Sequence, residues 1–202
     1  KNTEELSKVL KICNENKQPV VPHGGLTGLA EGAITQAGQI AISTERLNEI
    51  EHIDTVGRTI TLGAGVPLEK AQNVAEENNL MLAVDLGARG SCTIGGNIST
   101  NAGGNMVVKY GMTRDSVLGL EAVLADGRIL TSLNEMLKNN SGYDLKQLFI
   151  GTEGTLGFVT RAVLRLREKP KSINTALLAV NSFDQVTKFL KHIDKGLGGN
   201  LS

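Results

Sequence analysis

The stretch that decides the fold is Cys92–Asn105, which reads CTIGGNISTNAGGN. It contains two glycine pairs, three asparagines and three hydroxyl residues, but no charged side chain. A turn alone needs only about four residues. Because glycine lets the main chain come unusually close to its neighbours, we expect the backbone of this segment to lie against a large polar molecule.

Glycine is concentrated in three short windows of the chain. Of the 24 glycines, 14 lie in residues 24–32, 87–111 and 151–157. Glycine weakens regular structure, so this clustering needs a physical cause. Ordinary turns would explain any one window. Close contact with one anionic ligand explains all three, because bare backbone N–H groups bind phosphates without lysine or arginine.

The composition excludes several classes of protein. The 202 residues fit one domain or two small ones, and 40% hydrophobic with 21% charged residues is enough for a packed core. Lys+Arg and Asp+Glu are balanced at 21 each, and aromatic residues make up only 3%, which argues against a nucleic-acid partner. Two distant cysteines and three scattered histidines predict neither a disulfide framework nor a metal site. No apolar run approaches the ~20 residues of a membrane span.

The hydrophobic pattern alternates between helical and strand periods. It predicts helical segments over residues 4–16, 67–78, 145–149 and 183–193, and strands over residues 19–22, 40–42, 59–62, 117–124, 129–130, 157–167 and 176–180. Thr3 is expected to cap the first helix. A hairpin turn at residues 125–128 would let Glu121 pair with Arg128 across the two strands.

Common site motifs are absent. Gly63-Ala-Gly65 follows a strand, but Leu68 stands where a dinucleotide fingerprint needs its third glycine. The loop Gly24–Gly28 is not followed by the Lys-Ser/Thr pair of a phosphate-binding P-loop. The chain also lacks the Gly-x-Ser-x-Gly motif of serine hydrolases.

Four segments together resemble a known family. They are VVPHGGLTGL (20–29), DLGARGSCTIGGNISTNAGGNMVVKYG (85–111), VLGLEAVLADGRIL (117–130) and GYDLKQLFIGTEGTLGFVT (142–160). In this order they resemble the FAD-binding domain of the vanillyl-alcohol oxidase (PCMH-type) superfamily. Within it they are most similar to the D-2-hydroxyglutarate dehydrogenases, the FAD-linked D-lactate dehydrogenases and the glycolate oxidase flavin subunit.

The resemblance implies an α+β fold and a domain plan. Residues 1–170 would form a PCMH-type FAD-binding domain of two α/β subdomains, about 1–62 and 63–170. Residues 171–202 would begin a truncated substrate-binding cap domain, after a linker at Pro170. The chain would then be the FAD-binding portion of a dehydrogenase or oxidase that converts a D-2-hydroxy acid (2-hydroxyglutarate, lactate or glycolate) to the 2-oxo acid by hydride transfer to FAD.

The resemblance also implies the cofactor site. Three groups of residues are expected to bind FAD: His23, Gly24, Gly25, Leu26, Thr27 and Gly28; Asp85, Leu86, Gly87, Ala88, Gly90, Ser91, Ile94, Gly95, Gly96, Asn97, Asn101, Gly103 and Gly104; and Glu153, Gly154, Gly157 and Val159. Ser99 and Thr100 would add neutral hydrogen bonds. Catalytic residues are expected in a C-terminal part outside this chain, so the chain alone is expected to be inactive.

Some relatives bond FAD covalently through histidine or cysteine. Here we expect non-covalent FAD, with His23 acting as a loop donor and Cys92 as a buried structural thiol. The proposed partner is a small 2-hydroxy acid, with no metal and no membrane span, in the cytoplasm of a bacterium or the mitochondrion of a eukaryote. Two alternatives stay open: a non-catalytic scaffold, and another superfamily oxidoreductase such as a UDP-sugar reductase. The sequence does not name an electron acceptor.

Overall fold

The computed structural model describes residues 1–201, within which six α-helices and nine β-strands are formed. The helices are α1 (Thr3–Glu15), α2 (Leu68–Glu77), α3 (Ile94–Ser99), α4 (Val107–Tyr110), α5 (Thr113–Ser116) and α6 (Phe183–Leu197), with a short 3-10 helix at Leu145–Leu148. The strands are β1 (Val20–His23), β2 (Ile40–Ser43), β3 (Ile50–Asp54), β4 (Thr59–Gly63), β5 (Leu80–Met81), β6 (Val117–Val123), β7 (Ile129–Ser132), β8 (Phe158–Arg165) and β9 (Arg167–Glu168). The predicted α+β class is confirmed.

A five-stranded antiparallel sheet forms the centre of the molecule, in the order β3-β4-β8-β6-β7. The central strand β8 is buried at six of its eight positions, as expected for a strand covered on both faces. Opposite it in β4, Ile60 pairs with Leu164 and Leu62 with Ala162, and all four side chains are buried. Helices α2 and α3 contribute Leu68 and other apolar residues to the same core.

A second, smaller unit consists of the parallel pair β1-β2. Next to it, helix α1 packs Leu6 and Leu10 against Val123 and Phe158 of the large sheet. The cap of α1 is Asn2, not Thr3, because the Asn2 side chain accepts a hydrogen bond from the Glu5 N–H at 2.9 Å. Thr3 is the first helical residue, and its hydroxyl donates a hydrogen bond to the buried carboxylate of Glu121 at 2.7 Å.

Three further local predictions are wrong. Residues 94–99, which are not among the predicted helices, form helix α3. Residues 176–180, expected to be a strand, have no neighbouring strand to pair with and adopt no regular structure. Glu121 does not reach Arg128: it is buried and bonded to Thr3, Thr160 and Arg161, while Arg128 pairs with Asp126 at 2.7 Å.

The small sheet β1-β2 and the five-stranded sheet show where the chain passes from one unit to the other. The predicted break near residue 62 falls inside β4, whereas the chain passes from the small sheet to the large one between β2 and β3. The division into domains itself stays a prediction. Residues 171–201 include helix α6 but no buried residue. Among the described residues, no helix is long and apolar enough to cross a membrane.

Candidate functional site

A cavity of about 590 Å³ opens between the small unit and the large sheet. Its size lies within the range of about 300–1,000 Å³ that is typical of ligand sites. Three separate stretches of chain wall it: residues 22–33 after β1, residues 86–102 around α3, and residues 153–159 before and within β8. These stretches correspond to the three glycine windows, so the structure brings together what the sequence only placed apart.

The first wall is the loop that follows β1, and it can lie close to its neighbours only because it is rich in glycine. A β-carbon on Gly25 would lie 1.9 Å from the Ser91 carbonyl oxygen, and one on Gly24 would lie 2.7 Å from Thr93 Oγ1. The His23 ring is hydrogen bonded through Nε2 to the Thr35 hydroxyl at 2.8 Å. His23 thus ties the two ends of the loop together.

The second wall is centred on helix α3, whose first two residues are hydrogen bonded to the segment between β4 and α2. Ile94 N–H donates to the Val66 carbonyl at 2.9 Å, and Gly95 N–H donates to the Ala64 carbonyl at 2.7 Å. A β-carbon on Gly95 would lie 2.6 Å from the Ala64 side chain, so glycine is required for this contact. Gly95, Gly96 and Asn97 of this helix line the cavity.

The third wall is the turn that leads into β8. Its main chain is attached to α3, because Glu153 N–H donates to the Ser99 carbonyl at 2.8 Å. Gly154 has a φ of +81°, which favours glycine, and a β-carbon there would lie 2.6 Å from Pro22 Cγ. This turn therefore packs directly on the first wall, and the three walls together line the cavity.

Most of the predicted site residues line the cavity, and some do not. Those that line it are His23, Gly24, Gly25, Leu26, Thr27, Gly28, Leu86, Gly87, Ala88, Gly95, Gly96, Asn97, Ser99, Thr100, Glu153, Gly154 and Val159. Those that lie outside it are Asp85, Gly90, Ser91, Ile94, Asn101, Gly103, Gly104 and Gly157. Which of them contact a ligand stays a prediction.

The residues outside the cavity have structural reasons for their identity. Gly104 has a φ of +99° and approaches the Asp85 carbonyl, where a β-carbon would lie at 2.0 Å. Gly157 faces the Phe149 ring, with a β-carbon distance of 2.8 Å. Asp85 accepts a hydrogen bond from Asn105 at 3.1 Å and faces Arg89 at 3.2 Å.

Several lining residues were not predicted: Pro22, Leu29, Ala30, Glu31, Gly32, Ala33, Thr44, Thr93, Ala102 and Phe158. A sequence signal existed for two of these groups. Residues 29–33 continue the first glycine window, and Thr93 is a hydroxyl residue directly before a helix, the pattern of an N-cap. Its Oγ1 indeed lies 3.4 Å from the Gly96 N–H. Thr44 follows β2, and no sequence pattern distinguishes it.

The cavity lining is nearly free of charged side chains. Among the described lining residues, only Glu31 and Glu153 carry a full charge, and none is lysine or arginine. Any phosphate here would have to be bound by backbone N–H groups and neutral side chains. Cys92 also lines the cavity; burial raises the pKa of its thiol, and the neighbouring Asn97 side chain offsets part of this rise. The thiol is thus held in its neutral form.

Asn97 supplies an independent sign of a missing partner. Its side chain is only 4% exposed and lines the cavity. Within the described part of the chain, its Nδ2 has no hydrogen-bond partner of normal geometry; its side chain does interact with the Cys92 thiol, but sulfur is only a weak acceptor. Buried polar groups almost always have a partner. A long, polar, phosphate-bearing molecule such as FAD fits both observations: the glycine-lined walls accept it closely, and it carries acceptors for the orphan amide.

Residues 1–132 match the family described as FAD binding domain. This chain belongs to that family. The chain is 45% identical over 202 residues to the mitochondrial D-2-hydroxyglutarate dehydrogenase of Danio rerio. The match covers 100% of this chain and 38% of that relative. It is 49% identical over 183 residues to the D-2-hydroxyglutarate dehydrogenase of Xanthomonas citri pv. viticola, covering 91% of this chain and 39% of the relative. A putative mitochondrial D-lactate dehydrogenase of Schizosaccharomyces pombe is 44% identical over 188 residues, with 93% and 36% covered.

A solved structure of alkyldihydroxyacetonephosphate synthase shares the fold of this FAD-binding domain, with a TM-score of 0.75 and 22% sequence identity. The match covers 85% of this chain and 31% of that one. The curated relatives confirm the resemblance seen in the sequence. Because the chain spans well under half of their length, the activity of a whole protein is a matter for proposal.

Proposed function

We propose that this chain is the FAD-binding portion of a flavin-dependent dehydrogenase that oxidises a D-2-hydroxy acid to the corresponding 2-oxo acid. The observation that carries the proposal is the convergence of three glycine-rich walls on one cavity without basic residues. The names of the relatives support the substrate class, with 2-hydroxyglutarate favoured over lactate and glycolate because it recurs among them.

The proposal assigns FAD to the cavity between the three walls, held without a covalent bond. The glycines of the first two walls, including Gly25 and Gly96, would let backbone N–H groups reach the diphosphate. Asn97 would donate to an acceptor of the cofactor. The two groups able to form a covalent link are otherwise engaged: the His23 ring is bonded to Thr35, and the Cys92 thiol is only 3% exposed and neutral.

When bound, FAD supplies the hydride acceptor for the oxidation. The residues of this chain would bind and orient it and keep water from its buried face. The cavity lining offers no cation to hold a substrate carboxylate, and its single imidazole, His23, is bonded to Thr35. The proton acceptor and the carboxylate-binding groups are therefore proposed to come from the part of the relatives that this chain does not match. The compartment would be mitochondrial in a eukaryote, as in the names of several relatives, or cytoplasmic in a bacterium.

The absorption spectrum of the purified chain tests the cofactor assignment. We expect the visible bands of oxidised flavin, and we expect acid precipitation to release all of the flavin into the supernatant. A colourless protein that gains no thermal stability from added FAD would instead support the scaffold alternative. Flavin that stays with the acid-precipitated protein would contradict the non-covalent proposal alone.

Gly96→Val tests the site within the same experiment. A β-carbon at Gly96 would meet only the Thr93 hydroxyl, at 3.3 Å, so the fold should tolerate the substitution. The branched side chain would, however, project into the cavity, and we expect FAD binding to be lost. Gly196→Ala is the matched control, because a β-carbon there meets no atom within 4 Å and lies far from the cavity in sequence. Normal flavin content in Gly96→Val would contradict the assignment.

A further inference from the structure

Arg114 lies on helix α5, outside the cavity lining, with its side chain half-buried. Its guanidinium donates to the main-chain carbonyl of Ile150 at 2.6 Å and to that of Gln147 at 3.2 Å, and also to the Gln147 side chain. Its backbone N–H donates to Asn101 Oδ1 at 3.0 Å. One residue therefore connects the end of the second wall with the segment that leads into the third.

On the side of the second wall, the link fixes a strained turn. Asn101 has a φ of +47°, in the left-handed region, and its neighbours Thr100 and Ala102 both line the cavity. The carbonyl of Ala102 also accepts from Thr113, through the backbone N–H at 2.9 Å and the hydroxyl at 2.8 Å. Helix α5 thus holds this part of the wall at two adjacent residues.

On the side of the third wall, the link fixes the approach to Glu153. Gly151, which directly follows the carbonyl bound by Arg114, donates its N–H to the Ile98 carbonyl at 3.1 Å. Glu153 N–H then donates to Ser99, as described above. A β-carbon on Gly151 would lie 3.6 Å from Arg114 Nη2, so the segments are in contact. The relative position of the two walls depends on this cluster.

The positively charged guanidinium of Arg114 is hydrogen bonded to neutral carbonyl and amide oxygens. Within residues 1–201 it has no carboxylate partner within salt-bridge distance. Its acceptors are neutral oxygens at and just after the 3-10 helix Leu145–Leu148, where carbonyl groups carry partial negative charge. A planar guanidinium with five donors can bind several such oxygens at once, which a lysine ammonium cannot reproduce.

We infer that Arg114 is a positioning residue for FAD: it sets the spacing between the second and third walls of the cavity without touching the cofactor. The inference rests on the proposed location of FAD in this cavity. Loss of the side chain leaves the carbonyls of Gln147 and Ile150 unpaired and releases the segment before the third wall, while the backbone N–H of residue 114 still holds Asn101 on the side of the second wall. The walls then separate, and the cofactor is bound more loosely.

The test compares Arg114→Met, Arg114→Lys and the control Arg128→Met in the full chain. Arg128 is an exposed arginine paired only with Asp126, on the hairpin between β6 and β7. We expect Arg114→Met to raise the FAD dissociation constant by about tenfold, the size of effect seen when residues that orient a site's contact groups are removed. We expect Arg114→Lys to recover part of the affinity, and Arg128→Met to match the wild type.

Two further readouts separate positioning from a general role in stability. The increase in Tm that FAD produces should shrink in Arg114→Met, and the bound flavin should lose the fine structure of its visible absorption band. If Arg114→Met has a lower Tm but the same FAD affinity and spectrum, the inference is wrong. If Arg114→Met does not fold, Asn101→Gly decides, because it keeps the left-handed turn but removes the acceptor of the Arg114 N–H.

The outcomes also distinguish this inference from the proposed function. If the wild-type chain does not bind FAD, the proposed function fails and the inference fails with it. If the wild type binds FAD and both Arg114→Met and Asn101→Gly bind it equally well, only the inference is overturned. Weaker FAD binding in Asn101→Gly with an unchanged Tm for the cofactor-free protein supports it.

Discussion

At the scale of single residues, Asn97 shows how a binding site differs from a core. A buried amide without a partner costs about 1–3 kcal/mol of stability. The cofactor-free protein bears this cost, which is recovered only when a ligand supplies an acceptor. Gln72 offers a contrast, since its side-chain amide is paired within the chain, with the Val84 carbonyl at 2.7 Å.

Asn97→Leu should separate stability from binding. Leucine has the same branching at Cγ and no orphan polar group, and the adjoining cavity gives room for its larger volume, so we expect the cofactor-free variant to be at least as stable as the wild type. We expect its FAD dissociation constant to rise by about tenfold, which corresponds to the loss of a hydrogen bond worth about 1.4 kcal/mol. Thermal unfolding with and without FAD measures both effects. A marked loss of stability in the cofactor-free variant would show that Asn97 has a structural partner instead.

The glycine pattern also shows what a sequence can reveal about single residues. Clustered glycines predicted that the main chain lies against a ligand; the three windows do line one cavity, and the contact with a ligand stays a prediction. The same signal could not say what each glycine approaches. Gly96 faces the cavity, Gly104 faces the Asp85 carbonyl and Gly157 faces an aromatic ring. Gly104 and Gly157 have no room for a side chain, whereas a β-carbon on Gly96 would meet only Thr93 Oγ1 at 3.3 Å, so only the three-dimensional packing tells the three apart.

At the scale of elements, helix α1 is fixed to the sheet by a buried carboxylate. Glu121 of β6 is 7% exposed and accepts hydrogen bonds from Thr3 at 2.7 Å and from Thr160 at 3.0 Å. Arg161 lies 3.3 Å from it and also binds Glu51 at 2.7 Å. The hydrogen bond to Glu51, together with the charge of Glu121, raises the pKa of Arg161 above its ordinary value.

Glu121→Ala should therefore loosen α1 from the sheet. It removes the carboxylate that accepts from two buried hydroxyl groups and from Arg161, and we expect a loss of about 3 kcal/mol in the free energy of unfolding. Glu4→Ala is the control, because Glu4 is an exposed acid in the first turn of the same helix and should contribute only about 0.5 kcal/mol. Urea unfolding measures both losses. Equal losses in the two variants would mean that the buried network does not hold the helix.

The elements that the sequence misjudged have a common physical cause. Helix α3 contains two glycines and an asparagine, which local propensity disfavours, but Thr93 caps it and its first N–H groups bond to carbonyls of residues 64–66. Residues 176–180 have a suitable apolar pattern, but a strand needs a partner and finds none among residues 1–201. Tertiary contacts decide both cases. The long strands β6 and β8 were correctly predicted, although polar Glu121 and Thr160 are buried within them.

At the scale of the whole molecule, the C-terminal segment contributes little to the folded body. Residues 171–201 contain no buried residue, and their side-chain hydrogen bonds are made within the segment itself. Large apolar residues such as Ile173, Leu177 and Phe183 are exposed there. Just before this segment, β9 pairs with β5, and Lys169 forms a salt bridge with Glu76. The boundary near residue 170 stays a prediction.

Truncation after Pro170 tests that boundary. Because no core residue is removed, we expect the shortened chain to keep its Tm within about 2 °C, since a change of 1 kcal/mol would shift the Tm of a domain this size by only about 2–4 °C. We expect unchanged FAD affinity and less binding of hydrophobic dyes, because exposed apolar surface is lost. Truncation after Leu166 is the contrasting variant: it removes β9 and should lower the Tm. If truncation after Pro170 lowers the Tm as much as truncation after Leu166 does, the segment is part of the FAD-binding domain and the boundary lies elsewhere.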